Sequence, residues 1–442
     1  MEKDLTRGNI TVSMLRFALP LIAGNLMQQF YNVADTLIVG KFLGADALAA
    51  VGSSYTLMTF LTSILLGLAM GCGTFFSILY GAGDQEKLNK SIFTSFILLG
   101  IVDIVMNLIL FAGIDRIMGL LNVPGEIHEM MREYLIVIFV GITATFLYNF
   151  FASVLRAVGN SFWPMVFLGA AALLNVGLDL LFVIVFDMGV EGAAAATVIA
   201  QYVSGVGLAV YTWFLCPELR PKRRHRRITA DVVKELAQFS VLTCLQQSVM
   251  NLGILMVQGL VNSFGTVIMA AFAAAVKIDS FAYMPVQDFG NAFSTFIAQN
   301  YGAGKRDRIR GGIKSAVLTS VLFCLVISSL VVVFARQLML IFVQPQETQI
   351  LAEGVRYLRI EGSFYCLIGC LFLLYGFYRA MGRPGMSLVL TVISLGTRVV
   401  LAYVLSAIPA IGVVGIWCAV PIGWFLADTV GFTYLIMLQR KP

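Results

Sequence analysis

Acidic side chains inside apolar segments are the residues of this sequence best placed to do chemistry. Asp35 lies within the apolar stretch 17–44, where an ionisable group costs roughly 2.5–3.5 kcal/mol on membrane-insertion scales and normally faces a cavity or a partner. Helical spacing places Gln28, Tyr31 and Asn32 on the same face as Asp35. The alternative is that Asp35 is a helix-packing hydrogen bonder, although a neutral Asn would serve that purpose at lower cost. We therefore expect this face to line a functional cavity.

A second polar face is predicted in the fifth apolar segment. Asn175 and Asp179 in LLNVGLDLLF are four residues apart, so they share one face of a helix. The next segment supplies Thr197 from the Ala-rich string GAAAATVIAQY, which is typical of closely packed membrane helices. If these side chains converge with Asp35, they form an oxygen-rich pocket with two carboxylates. Such a pocket suits Na⁺ and a proton equally, and the spacing leaves both ions open.

Aromatic and methionine side chains near these acidic faces are predicted to line a substrate cavity. Such side chains bind flat or lipophilic cations by stacking and cation–π attraction, although most Phe and Met residues of a membrane bundle face lipid or pack. The polar neighbours of Asp35 belong to the same predicted surface. The predicted cavity residues are Met27, Gln28, Tyr31, Asn32, Tyr148, Phe182, Tyr202 and Tyr283.

The composition is that of an all-α polytopic membrane protein surrounded by lipid. Of 442 residues, 59% are hydrophobic and 12% are charged, and the mean hydropathy is +0.89, whereas a soluble domain holds about 25% charged residues. The net charge of +6 does not indicate nucleic acid, because the basic residues fall in the predicted membrane loops. The two histidines, His128 and His225, also fall in loops, so we expect no zinc site, no cofactor and no enzymatic centre.

The apolar segments predict twelve transmembrane helices. Basic residues collect in alternate loops, including 220–227 and 305–314, which places those loops and both termini in the cytoplasm of a multi-pass cell-membrane protein. The predicted helices cover residues 13–40, 46–80, 90–114, 131–155, 162–186, 191–215, 235–262, 267–300, 311–342, 349–380, 386–407 and 412–438.

The chain contains an internal repeat. The string YGAGDQEKLNKSIFTS at 80–95 matches YGAGKRDRIRGGIKSA at 301–316, an offset of 221 residues. Near the end of each half, LRAVG at 155–159 matches YRAMG at 378–382, an offset of 223 residues. Because both matches run in the same direction at nearly the same offset, the two halves are predicted to have parallel topologies.

This repeat predicts two pseudo-symmetric six-helix lobes. We place the first lobe at 1–216, a basic cytoplasmic linker at 217–234, and the second lobe at 235–442. Many secondary transporters use two such halves, bind substrate between them and alternate access by rocking. Channels and some membrane enzymes are also duplicated, so the repeat alone does not establish transport.

The repeat also allows the acidic residues of the two halves to be compared position by position. At an offset of 223, Asn175 aligns with Arg398 and Asp179 aligns with Ala402, so the second half lacks these counterparts. This difference indicates a specialised role for the first half, with drift after duplication as the alternative. The intramembrane charges whose roles stay open are Asp103, Lys277, Asp279, Asp288 and Arg398.

Taken together, the motifs resemble those of the multidrug and toxic compound extrusion (MATE) transporters, in the prokaryotic MepA-like and DinF-like branch. The likeness is carried by P-x7-Q-x2-YN-x2-D-x3-VG-x3-G from Pro20 to Gly44, by the two YGAG turns, by the RAxG helix ends and by the N-x3-D pair. It covers essentially the whole chain. The resemblance implies the MATE/MOP fold and a two-lobed, usually monomeric exporter that exchanges organic cations for inward H⁺ or Na⁺.

The resemblance implies roles for individual residues as well. Pro20 falls on the family's first-helix proline, where that helix bends, and Tyr31 falls on its first-helix tyrosine. The cation site of the DinF-like branch falls on Asp35, Asn175, Asp179 and Thr197.

Relatives of the NorM type instead use acids in helices 7 and 10 of the second lobe. This chain has no acid within helix 7 after Glu235, and only Glu353 and Glu361 near the outer part of helix 10, which favours coupling through the first lobe. The favoured function is therefore secondary active multidrug efflux by antiport and alternating access. The alternatives are a flippase for a lipid-linked or amphiphilic substrate, and a passive channel or membrane enzyme.

Overall fold

The computed structural model describes residues 4–120, 123 and 125–440. Residues 1–3, 121, 122, 124, 441 and 442, which the predicted lobes include, lie outside that description. The regular elements of the described residues are all helical. The α-helices are α1 Ile10–Phe42, α2 Ala45–Ala82, α3 Gln85–Leu120, α4 Gly125–Ala157, α5 Phe162–Asp179, α6 Gly189–Leu215, α7 Ala230–Asn262, α8 Thr266–Gly302, α9 Arg306–Val333, α10 Ala335–Met339, α11 Thr348–Gly362, α12 Tyr365–Ala380, α13 Pro384–Ser406 and α14 Val413–Arg440.

The number of membrane spans depends on one broken helix. Over the described ranges, 11 helices are long and apolar enough to cross a bilayer, and there are up to 12 spans if α11 and α12 count as one. These two helices meet at an angle of 52°. The all-α polytopic class is confirmed, whereas the predicted continuous helix 349–380 is wrong. Gly362 and Ser363 lie at the break, and a Gly/Ser pair is a common cause of sharp kinks.

The fifth span changes its winding beside a candidate site residue. α5 ends at Asp179, and Leu180–Val185 continues as a π-helix instead of the regular helix predicted for 162–186. The wider winding ends where the Met188 amide donates to the Phe182 carbonyl over 2.9 Å. Short π segments are rare in proteins as a whole, but those that occur are often found at functional sites. The extra residue per turn redirects the side chains that follow.

The chain folds into two compact units. The first unit contains Leu19–Cys244, and the second contains Leu5–Ala18 together with the chain from Leu245 onward. α1 therefore begins in the second unit and continues in the first, and α7 begins in the first unit and continues in the second. The predicted lobes, 1–216 and 235–442, divide the chain elsewhere, because they follow the connections between helices and not the contacts.

Close packing against α2 explains why α7 begins in the first unit. A Cβ atom added at Gly71 would lie 2.4 Å from the carbonyl oxygen of Phe239, and one at Gly67 would lie 2.6 Å from Cα of Cys244. Helix backbones approach this closely only where the facing residue has no side chain. The two glycines thus hold the first turns of α7 against the core of the first unit.

Hydrogen bonds explain why the start of α1 belongs to the second unit. The Leu5 amide donates to Oε1 of Gln299 over 3.1 Å, and Nδ2 of Asn300 donates to the Leu5 carbonyl over 3.2 Å. Arg308 adds bonds to the same segment, including Nη1 to the Gly8 carbonyl at 2.8 Å. Gln299 and Asn300 come directly before the second YGAG turn and Arg308 follows it, so the residues on either side of this turn anchor the segment that precedes α1.

Candidate functional site

Three helices of the first unit bring the predicted cation-site residues together. α1 supplies Asp35, α5 supplies Asn175 and Asp179, and α6 supplies Thr197. The carboxyl groups of Asp35 and Asp179 lie within hydrogen-bonding distance of each other. The sequence predicted that these four residues would share a pocket if their helices converged, and the structure shows that they do.

The two carboxyl groups lie in the interior of the unit. Asp179 is 0% exposed, and Asp35 is half-buried. Oδ1 of each carboxyl is buried without a hydrogen-bond partner among the described residues. Two bare carboxylates repel each other strongly where water is scarce, so a proton or a cation is needed to hold the pair in contact.

The amide of Asn175 connects Asp179 to α6. In the orientation that satisfies its hydrogen bonds, Nδ2 donates to Oδ2 of Asp179 over 3.2 Å. Its oxygen accepts from the Thr197 amide at 3.2 Å and from Oγ1 of Thr197 at 3.3 Å. Asn175 is 1% exposed, so these bonds replace the water that the amide would otherwise bind. The i, i+4 pair of α5 is thereby held in one orientation by α6.

Tyrosines surround the carboxyl pair. Tyr31 is hydrogen-bonded to Gln28 and lies within electrostatic range of both Asp35 and Asp179. Tyr134 of α4 is buried and lies within range of the same two acids. Sequence analysis missed Tyr134, because it stands near the start of an apolar span, where tyrosine usually marks the membrane interface.

An apolar cluster packs beside the pocket and includes Tyr134. Its members come from α1, α2, α4, the π-helix and α6, so it closes the space between these elements. Water is displaced from such a cluster, which strengthens the electrostatic interactions next to it. The buried members are Ile38, Val39, Ala47, Val51, Tyr134, Ile138, Val183, Val190, Ala193, Ala194 and Val198.

The remaining predicted residues of α1 lie on or near this pocket. The methyl group of Met27 covers Gly169 of α5, where an added Cβ would lie 2.9 Å from it. Nδ2 of Asn32 donates to Oε1 of Gln29 over 3.1 Å, so this amide bonds within its own helix. Pro20 lies inside α1, next to the point between residues 18 and 19 where the chain passes into the first unit.

Other predicted cavity residues take part in packing. Oη of Tyr148 donates to the Pro164 carbonyl over 3.2 Å, and Oη of Tyr202 donates to the Val140 carbonyl over 3.0 Å. Phe182 of the π-helix stacks on Phe186, the residue that follows this helix, with a centroid separation of 6.0 Å. These three side chains belong to the first unit, and the tyrosine hydroxyls are engaged by main-chain carbonyls.

Tyr283 belongs to the second unit, where the structure reveals a further group of acids. Its ring lies 6.1 Å from that of Phe372, and its charge environment includes Asp279 and Glu361. The sequence places Glu361 near the outer part of the tenth helix and leaves the role of Asp279 open. The two residues lie 82 positions apart in α8 and α11, so only the packing of these helices could reveal their contact.

Two more of the open charges are placed by the structure. Asp103 of α3 accepts from Oγ1 of Thr143 over 2.7 Å and from Nδ2 of Asn107 over 3.3 Å, so its carboxylate bonds α3 to α4. Lys277 is exposed on α8. In the described ranges, no group of three or more His, Cys, Asp or Glu side chains is arranged to hold a metal ion.

Comparison with known proteins places the chain in a family. The family model described as MatE matches residues 20–181 and 240–404. "Probable multidrug resistance protein YpnP" of Bacillus subtilis (strain 168) is 31% identical over 435 residues, which cover 98% of this chain and 96% of that protein. "Probable multidrug resistance protein YoeA" of the same organism is 28% identical over 442 residues, covering 97% and 94%. A solved MOP superfamily transporter from Pyrococcus furiosus shares the fold, with a TM-score of 0.92 at 24% identity over 98% and 97% of the two chains.

Fold and sequence together define a polytopic helical membrane protein with a buried polar pocket in its first unit. The chain belongs to the MatE family of multidrug efflux transporters. Because members of this family are transporters, the protein is a transporter and not an enzyme. The expected family and the MATE/MOP fold are both confirmed.

Proposed function

We propose that the protein is a secondary active antiporter that exports organic cations in exchange for H⁺ or Na⁺ by alternating access. The observation that carries this proposal is the contact between Asp35 and Asp179 inside the first unit, with Asn175 bonded to Asp179. A buried pair of acids that needs a proton or a cation is what a coupling site requires. Membership of a multidrug efflux family supports the direction and the substrate class.

The donor set of the pocket fits either coupling ion. The carboxylates of Asp35 and Asp179, the amide oxygen of Asn175 and the hydroxyl of Thr197 are hard oxygen ligands of the kind that Na⁺ prefers. The two carboxyl groups alone hold a proton. In this proposal Na⁺ or H⁺ is transported cargo, and no resident metal or cofactor takes part.

Exchange follows from competition for the same charges. A cationic drug that arrives from the cytoplasm pairs with Asp35 or Asp179 while the carboxylates are free. A proton or Na⁺ that arrives from outside neutralises them and lowers the affinity for drug. Because each ligand lowers the affinity for the other, the ion gradient drives release of drug outward.

The substrate surface of the proposal surrounds this pocket. Tyr31 contributes an aromatic face, and bending of α1 at Pro20 changes the space around it. The first-unit residues that we assign to drug binding are Met27, Gln28, Tyr31, Asn32, Tyr148, Phe182 and Tyr202, and Tyr283 is a further candidate in the second unit. Aromatic rings and Met thioethers at these positions offer cation–π and dispersion contacts to flat cations of different shapes.

The test is uptake of a fluorescent organic cation, ethidium, into inside-out membrane vesicles. A Na⁺ gradient and a pH gradient are imposed separately, each directed so that its ion leaves the vesicle as ethidium enters. We expect at least one gradient to accelerate uptake in vesicles that contain the protein. The gradient that does so identifies the coupling ion, and acceleration by both shows that the pocket serves both ions.

An exposed aspartate supplies the matched control for this test. Asp46 stands in the first turn of α2 and is exposed, so Asp46→Asn removes a carboxylate without touching the pocket. A rate of ethidium uptake that neither gradient changes would contradict the antiport proposal. A flippase for an amphiphilic substrate would then be examined by the transbilayer movement of a labelled lipid in the same vesicles.

The membrane setting forms part of the proposal. We place both termini in the cytoplasm, because basic residues are concentrated in the connection 220–227 and at 305–314, where α9 begins. The protein works as a monomer in membrane lipid and has no nucleic-acid partner.

A further inference from the structure

The second unit contains a buried acidic cluster that the proposed mechanism does not use. Asp279 of α8 is 5% exposed, and Glu361 of α11 is 1% exposed. Their carboxyl groups lie within hydrogen-bonding distance of each other. Oη of Tyr365 donates to Oδ1 of Asp279 over 2.5 Å, and the hydroxyl of Tyr357 lies close to both acids. The cluster therefore contains two acids and two phenols with little access to water.

The break between α11 and α12 creates this arrangement. Glu361 stands in the last turn of α11, and Tyr365 is the first residue of α12. In one continuous helix these residues would follow each other along one face. With the helices bent by 52° between them, both reach Asp279 on α8. Broken helices whose ends surround charged groups are typical of ion-binding regions in transporters.

A positive charge accompanies the acid pair. Arg398 of α13 acts electrostatically on both Asp279 and Glu361. Its Nε is buried without a hydrogen-bond partner, and so is Oε1 of Glu361, among the residues that the structure describes. The Cβ atom of Arg398 lies 3.6 Å from the position that a Cβ on Gly423 would take, so α14 packs closely against α13 at this residue.

The internal repeat shows what Arg398 replaces. At the offset of 223 residues, Arg398 aligns with Asn175, the amide that bonds to Asp179 in the first unit. The first-unit pocket has two acids and a neutral amide, so it needs an external cation or protons for neutrality. The second-unit cluster adds one guanidinium to its two acids, so it already has a positive charge of its own.

We propose that Arg398 is a tethered counter-cation that prevents the Asp279–Glu361 pair from binding a monovalent cation such as Na⁺. The cluster is then a disabled cation site, and coupling is confined to the first unit. This inference rests on the proposed function only in taking Na⁺ or H⁺ as the competing ions. Arg398 is a specificity-determining residue in this view, because it sets how many cations the protein binds.

The experiment measures binding of ²²Na⁺ to purified protein in detergent. Asp35→Asn with Asp179→Asn forms the background, because it removes the first-unit pocket. Arg398→Gln in this background is expected to add about one bound Na⁺ per protein and to tighten binding by at least about tenfold, since removal of a nearby positive charge strongly favours a cation. Arg398→Lys keeps the charge and is expected to add none.

A further substitution locates the new site. Adding Glu361→Gln to Arg398→Gln is expected to abolish the added binding. The proposal is overturned if Arg398→Gln elutes as a monodisperse protein and binds no more Na⁺ than Arg398→Lys. It is equally overturned if Glu361-dependent Na⁺ binding is already present with Arg398 intact. Should Arg398→Gln aggregate, Arg398→Met fills the same space with a long apolar side chain and is read in the same way.

This test and the test of the proposed function give separate answers. The proposed function is measured by Asp35-dependent transport, whereas the Arg398 proposal is measured by Glu361-dependent binding in variants that lack the first-unit pocket. A protein that couples only to H⁺ would bind no Na⁺ in its first unit, and Arg398→Gln would still gain a site.

Discussion

At the scale of residues, the pocket of the first unit brings together two carboxyl groups and an amide whose properties depend on their lying close to one another. Asp35 and Asp179 are each costly in a membrane, and contact between them adds repulsion unless a cation or proton is present. The amide of Asn175 stabilises one member of the pair and fixes its geometry. This arrangement is the basis for our proposal that the pocket binds one small cation.

The first prediction concerns the two carboxylates. Asp35→Asn and Asp179→Asn are each expected to lower gradient-driven ethidium uptake to the level of vesicles without the protein, because an uncharged amide cannot release a proton and attracts Na⁺ far less than a carboxylate does. The measurement is initial uptake rate at equal expression. The matched variant Asp46→Asn should transport as the wild type does, and wild-type rates in either pocket variant would refute the assignment.

The second prediction concerns the groups that hold Asp179. Asn175→Leu removes a hydrogen bond to the charged form of Asp179, which contributes about 1.5–3 kcal/mol. The half-saturating concentration of the coupling ion should therefore fall about tenfold or more if that ion is H⁺, because the carboxylate protonates more readily, and should rise if it is Na⁺, because an oxygen ligand is lost. Thr197→Ser keeps the hydroxyl and should leave that concentration nearly unchanged. The coupling ion is titrated in vesicles at saturating ethidium. An unchanged value in Asn175→Leu would show that the amide bond to Asp179 does not matter for ion binding.

At the scale of elements, irregular helices stand beside both acidic groups. The α-helical part of the fifth span ends at Asp179 and gives way to a π-helix, and the pair α11 and α12 breaks between Glu361 and Tyr365. A regular helix offers a given face only every three to four residues, so these irregularities provide side-chain directions that a straight helix lacks. Packing of neighbouring helices must then supply the stability that the broken hydrogen bonding loses.

The third prediction concerns the contact between α2 and α7. Gly71→Ala places a methyl group 2.4 Å from the Phe239 carbonyl oxygen, so the two helices must move apart. Overpacking of this kind typically costs about 1–3 kcal/mol, and a lower thermal midpoint in detergent is expected. Gly52→Ala in the same helix meets open space and should leave the midpoint unchanged or raise it slightly. Equal midpoints for both variants would contradict the packing argument.

At the scale of the whole molecule, the two halves share a repeat and differ in charge. Each half has a YGAG turn followed by a helix, yet Arg398 stands at the position in the second that Asn175 occupies in the first. In our proposal, the two halves therefore came to hold one group of acids that needs an external cation and another that has its own. This asymmetry is the basis for assigning ion coupling to the first unit alone.

The fourth prediction concerns the orientation of the molecule in the membrane. A green fluorescent protein fused after residue 442 is expected to fluoresce, because it folds on the cytoplasmic side, and alkaline phosphatase at the same place should stay inactive. Phosphatase inserted between α3 and α4, after Leu120 in the connection predicted to lie outside, should be active. An active phosphatase at the C-terminus would reverse the orientation and would remove the argument from the basic loops.

The sequence by itself determined the class, the repeat and much of the candidate pocket. Apolar segments of membrane length show in composition, and four-residue spacing places Asn175 and Asp179 on one helix face, because helical geometry is local. The free-energy cost of placing the Asp35 carboxylate within the membrane is also a property of its own segment. For the same reason most helices begin and end within a few residues of their predicted limits.

Only the tertiary structure decided which faces meet. The contacts of Asp35 with Asp179 and of Asp279 with Glu361 join segments far apart in the chain, and no periodicity within one helix specifies them. For the same reason, only the structure places Tyr134 beside the first-unit pocket and Arg398 beside the second-unit cluster. Which residues share a buried site depends on how whole helices pack, and that is the sum of many weak contacts spread over the entire chain.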